Sequence, residues 1–138
     1  MEKSKVFFTD MRCPMGVSLL DKLDRLMTAA GMDEMDFTQP YTAIKIHFGE
    51  PGNLSFLRPN FAQRVADRVK KLGGRPFLPD CTTLYVGPPG HGLDHLQAAD
   101  DNAYRPLTTV RPAIIAAGIN GAADADATVP GGTYPHSA

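Results

Sequence analysis

Along this chain the apolar positions alternate between a period of two and a period near 3.6. The run VFFTD, residues 6 to 10, is short and apolar and predicts a strand. From Val17 to Ala30 the apolar residues Leu20, Leu23, Met27 and Ala30 recur at helical spacing. Ser18 and Asp21 resemble a capping pair at its start, Asp21 and Arg25 form an i,i+4 pair, and Gly31 supplies a stop. Residues 42 to 48 return to the strand period, with Ile44, Ile46 and Phe48 on one face and Ala43, Lys45 and His47 on the other. The turn GEPGN leads to a helix from about Pro59, through Phe61, Val65, Val69 and Leu72, to Gly73 and Gly74. RPFLPD, residues 75 to 80, is a third predicted strand, TTLYVGPPGHG a loop, Leu93 to Ala103 a weaker helix, and PAIIAAG, residues 112 to 118, a fourth strand.

Strands alternating with helices in this way predict an α/β domain over residues 1 to 119. The expected form is a three-layer sandwich around a mostly parallel sheet of about four strands, Rossmann-like or flavodoxin-like, joined by right-handed crossovers. Strand orders 2-1-3 and 3-2-1-4 are the two expected. Residues 120 to 138, NGAADADATVPGGTYPHSA, hold no sustained period and read as an irregular tail, the start of a missing C-terminal part. A sheet ending on its fourth strand is incomplete at that edge. Its uncovered apolar surface predicts self-association or docking on a partner.

Composition changes this picture mainly by exclusion. The 138 residues suit one domain. Fourteen Lys and Arg scattered among fifteen Asp and Glu form no basic stripe, which argues against nucleic acid. No apolar run approaches the ~20 residues of a spanning helix, and MEKSKVFFTD has no signal-peptide core, so a cytoplasmic protein with no membrane association is expected. Cys13 and Cys81 stand far apart with no CxxC and read as two reduced thiols.

The polar face of the second strand raises the functional question, because a lysine and a histidine occupy a face that a helix layer is expected to cover. In open α/β sheets ligands bind outside the carboxyl ends of the strands. Three such ends carry polar groups: Asp10 with Arg12, His47 through Asn53 with Arg58, and Asp80 through Thr82 to Tyr85. Lys45 suits the role of a fixed charge toward a phosphate or carboxylate, with Asn53, Arg58, Thr82, Tyr85, Asp10 and Arg12 as further binding candidates. His47 suits a proton carrier or metal ligand, and Glu50 or Asp80 a carboxylate base or ligand. Gly49 and Gly52 allow a sharp turn close to a ligand. The competing reading has Lys45 snorkelling past a helix, His47 as a satisfied half-buried histidine, and the polar face as a docking surface.

Other motifs carry less. GEPGN lacks the GK[ST] of a phosphate-binding loop, and no GxGxxG follows a strand. His91 and His95 have the i,i+4 spacing a zinc site uses, but HGLDH lacks the adjacent Glu, and two solvated helix-cap histidines are expected instead, with no metal site. Cys81 beside Asp80 reads as a small buried residue, and the six Met as core filling.

The stretch AIKIHFGEPGNLSFLRPNF, with KVFFTD before it and GGRPFLPDCTTLYVG and LDHLQAADDN after it, resembles the N-terminal portion of the family called domain of unknown function 362. The resemblance runs from about Lys5 to the end of the chain. It implies a longer parent protein, typical of anaerobic bacteria and archaea, often carrying a ferredoxin-like module with 4Fe-4S clusters. This chain has no CxxCxxC run, so no iron-sulfur ligands follow from the resemblance and its cofactor is left unknown. Two functions are therefore expected in competition: a small-anion or cofactor site at the strand ends, whether or not an enzyme, and a non-catalytic scaffold or docking domain for a partner subunit or the missing C-terminal part.

Overall fold

The computed structural model of the chain describes residues 3–39, 41–82, 91–120, 122–129 and 132–137. A helix α1 (Leu19–Ala29) and a single 3-10 turn (Met32–Glu34) precede strand β1 (Tyr41–Ala43), helix α2 (Pro59–Lys71) and strand β2 (Arg75–Asp80). Helix α3 (Gly92–Asp101), the one-turn helix α4 (Pro106–Thr109) and strand β3 (Ala113–Ile115) follow, and β4 (Asp124–Val129) and β5 (Gly132–Ser137) close the chain. The three central strands form a parallel sheet in the order β1-β2-β3.

Local sequence explains the helices well. The Ser18 hydroxyl accepts the Asp21 amide at 3.1 Å and the Asp21 carboxylate accepts the Ser18 amide at 2.8 Å, a reciprocal capping box at the start of α1. Gly31 turns the chain at φ 85°, where a Cβ is disfavoured. Replacing Ser18 with Ala is expected to cost about 1 kcal/mol, read as a shift in the urea midpoint. In α2 the buried stripe is Ala62, Ala66 and Val69; Val69 is buried as expected, while the alanines take the place of Phe61, Val65 and Leu72. Alanines facing the sheet let the helix approach closely, while the outer side carries Arg64 to Asp24 of α1 at 2.7 Å and Arg68 to Thr28 at 2.6 Å and to Asp33.

The sheet corrects several expectations. No strand forms at residues 6 to 10, where Val6 and Phe8 are exposed. A strand exists only through its ladder. At its end this segment is held instead by Lys22 of α1, whose ammonium meets the Asp10 carboxylate at 2.6 Å. The expected strand 42 to 48 pairs regularly only to Ala43, yet the Ile44 amide donates to the Phe77 carbonyl at 2.9 Å and the Ile46 amide to the Pro79 carbonyl at 3.2 Å, so its course continues along β2. Central β2 carries Pro76 and Pro79, each removing a ladder donor, and both neighbouring pairings span three residues. Residues 124–129 and 132–137, expected to be irregular, pair as antiparallel strands with Asp124 opposite Ser137 and Val129 opposite Gly132.

Strand order is the largest departure from the orders 2-1-3 and 3-2-1-4. Strands advancing in one direction through right-handed crossovers place both connecting helices on the same face of the sheet. Accordingly Ala62 of α2 and Ala99 of α3 meet one core of Phe48, Leu78, Tyr104 and Ile115, flanked by Ile44, Ile46 and Ala113. The opposite face stays open among the described residues: Tyr41 is 71% and Ile114 45% exposed, and with Phe77 and Pro112 they line a cleft of about 570 Å³. Among the described residues two layers are therefore built where three were expected. No described helix is long and apolar enough to cross a membrane.

Candidate functional site at the carboxyl end of the sheet

Asp80 ends β2, and its side chain is 3% exposed. A buried carboxylate persists as an anion only if its oxygens are supplied with donors. Here one oxygen, Oδ1, accepts the Cys81 amide at 2.9 Å and the Lys45 ammonium. The other, Oδ2, accepts the Phe48 amide at 3.0 Å and lies 3.0 Å from Nε2 of His95 on α3. Nδ1 of His47 stands 3.4 Å from the same oxygen. Burial by itself pushes the Asp80 carboxyl up and is the largest single influence. The bonds from His95, Lys45 and the Phe48 and Cys81 amides together outweigh it and hold the group well below the usual carboxylate range.

The strand pattern explains how these groups meet. Ile44, Ile46 and Phe48 point into the core, which turns Lys45 and His47 to the open face, 59% and 51% exposed at their side chains. Their long side chains then reach the end of β2 from outside while His95 reaches it from the helix side. The polar residues that looked misplaced in a covered strand lie on a face that no described helix covers.

Phe48 anchors the assembly. Its ring packs edge-on against His95 at 5.8 Å and beside Tyr104 at 5.2 Å, and its carbonyl accepts Asn102 Nδ2 at 3.0 Å. The Tyr104 hydroxyl, pushed up to about 12 by burial and then by the Asp80 charge, donates to the Leu57 carbonyl. Because a carboxylate only accepts, Nε2 of His95 carries a proton, and its buried Nδ1 has no hydrogen-bond partner among the described residues.

The remaining candidates divide. Glu50 and Asn53 belong to the turn after His47, the Asn53 amide donating to the Glu50 carbonyl at 3.0 Å and the Asn53 side chain accepting the Ser55 amide at 2.8 Å. Arg58 sits at the start of α2 and lines a separate cleft of about 390 Å³ with Asn60 and Asn102. Asp10 and Arg12 pair with each other at 3.2 Å beside Lys22 of α1, on a segment that joins no strand. Thr82 is half-buried two residues beyond Asp80, and Tyr85 lies outside the described residues.

His95 is the residue that the sequence reading misplaced. Its i,i+4 relation to His91 suggested two solvated caps, yet His95 is 1% exposed while His91 stays outside at the start of α3 and meets Asp94 at 3.1 Å. The available clue was phase: Gly92, His95, Ala98 and Ala99 form one helical stripe of small residues around the histidine. Among the described residues no three His, Cys, Asp or Glu side chains are placed to hold a metal ion. A 4Fe-4S cluster does not fit either, since it takes four cysteine ligands and the chain has two, Cys13 exposed near the N-terminus and Cys81 beside Asp80.

Fold and site together define an α/β domain whose parallel strands converge on one buried carboxylate. The chain belongs to the family described as domain of unknown function DUF362, whose model matches residues 42–137, from β1 through β5. The resemblance read from Lys5 onward thus includes α1 and the segment before it, which precede the matched region. No curated protein and no solved structure matches the chain.

Proposed function

We propose that the carboxyl end of this sheet binds a small anion, a carboxylate or phosphate, through Lys45, with His47 beside it. The observation that carries this reading is their common tether: buried Asp80 anchors both side chains while leaving each half-exposed on an open surface. The Lys45 ammonium gives one N–H to this carboxylate and keeps its remaining donors for the open surface, and the end of a parallel sheet is where ligands of such folds bind. The family resemblance lends the site a redox neighbourhood, to which this chain contributes no cluster ligand.

Titrating inorganic phosphate tests the reading. The native protein is expected to rise in melting temperature, and Lys45→Met to show no rise. Because the lysine is half-exposed, that substitution is expected to cost less than about 2 kcal/mol of stability. A native protein indifferent to phosphate and to acetate overturns the anion site.

A docking role has its own support in the open sheet face of Tyr41, Phe77, Pro112 and Ile114. Under that reading, sedimentation shows a dimer that Ile114→Asp dissociates. A monomer at all concentrations removes self-association from consideration.

A further inference from the structure

We infer that His47 is a general base aimed by Asp80, and that the site withdraws a proton from a small carboxylate- or phosphate-bearing molecule held by Lys45. The inference rests on the anion-site reading and adds a chemical step to it. Three groups at the hub are candidates for the base, and geometry separates them. Asp80 is buried and both its oxygens are already engaged by four hydrogen bonds, so no substrate proton reaches them. His95 is 1% exposed, with the Phe48 ring against it. His47 alone presents an imidazole half in solvent while its Nδ1 faces the carboxylate at 3.4 Å. A carboxylate on the Nδ1 side of the ring favours the tautomer with its proton there, in which the Nε2 lone pair lies on the far side, facing away from Asp80. This is the arrangement in which a third group orients a base. Asp80 is thus a positioning residue.

In the step itself, Nε2 of His47 accepts a proton from an O–H or from a C–H next to the anionic group. The electron pair of the broken bond stays on the substrate as an oxyanion or enolate, facing the Lys45 ammonium. Return of the proton regenerates the imidazole, and nothing is oxidised or reduced.

The probe is p-nitrophenyl acetate, whose hydrolysis to acetate and p-nitrophenol reports an outward imidazole acting on the ester or on water. The native chain is expected to exceed His47→Gln by about tenfold or more. His91→Gln, at an exposed helix start, is expected to match the native rate. Asp80→Asn is expected to lose the excess, and where it fails to fold His47→Gln carries the test. Imidazole proton–nitrogen correlation spectra supply a second readout: the native His47 ring is expected to carry its proton on Nδ1. Equal rates for the native chain and His47→Gln, or a proton found on Nε2 of His47, overturn the inference. Phosphate binding that survives alongside equal rates leaves the anion site standing without the base. Hydrolysis lost in His47→Gln with no response to phosphate leaves the base without the anion site.

Discussion

Replacing Asp80 with Ala is expected to lower stability by about 3–5 kcal/mol, read from urea unfolding at neutral pH. The substitution strips the acceptor from the Phe48 and Cys81 amides and from His95, all at or near the core, and each buried donor left unpaired carries its own desolvation cost. It also unties the ends of β1's extension and α3 from β2. Asp80→Asn keeps the shape and part of the hydrogen bonding, so its loss is expected to be smaller. The pH dependence follows from the lowered native carboxyl. In the unfolded chain this group takes up its proton near the ordinary Asp value of about 4, before the native state does, so its contribution is fully present above that pH and is lost as pH falls further. Stability measured from pH 7 downward is therefore expected to fall more steeply below about 4 in the native chain than in Asp80→Asn. Parallel acid limbs for the two proteins run against this account.

Gly49→Ala is expected to be destabilising by about 2–5 kcal/mol, with a matching drop in thermal midpoint. Two independent causes add. Gly49 has φ 88°, where a side chain is strained, and an added Cβ falls 2.6 Å from Asn102 Nδ2 and 2.8 Å from the Phe56 ring. Asn102 is not free to withdraw, since it holds the Phe48 carbonyl. The neighbouring Gly52, at φ 80° with open space around the Cβ position, isolates the first cause: Gly52→Ala is expected to cost only about 1–2 kcal/mol. Equal losses at the two glycines place the whole effect in backbone strain and leave no part for close packing at Gly49.

These two substitutions also mark how far the chain could be read without its structure. The glycine turn, the alternation of residues 43 to 48 and the capping box at Ser18 are local features, each encoded by neighbours within a few positions, and the structure bears them out. Lys45, His47 and Asp80 were legible as candidates because two strand ends in a parallel sheet necessarily come close. His95 was not, since helical phase shows that a stripe exists but does not say which side faces a sheet, and in α2 the same ambiguity moved burial from Phe61 and Val65 to Ala62 and Ala66 while Val69 kept its place.

Strand order, layer number and the state of residues 6 to 10 lay beyond local pattern altogether. Connections of similar length serve a sheet that reverses direction and one that advances steadily, so nothing short-range distinguishes them. The structure decided for steady advance, and right-handed crossovers then put both helices on one face and left Tyr41, Lys45, His47 and Ile114 on the other. Periodicity and capping thus determined which segments are helical or extended and which residues share a face, because those depend on contacts a few residues apart. Which face is covered, and that one buried carboxylate joins two strands and a helix, depended on packing between segments distant in the chain.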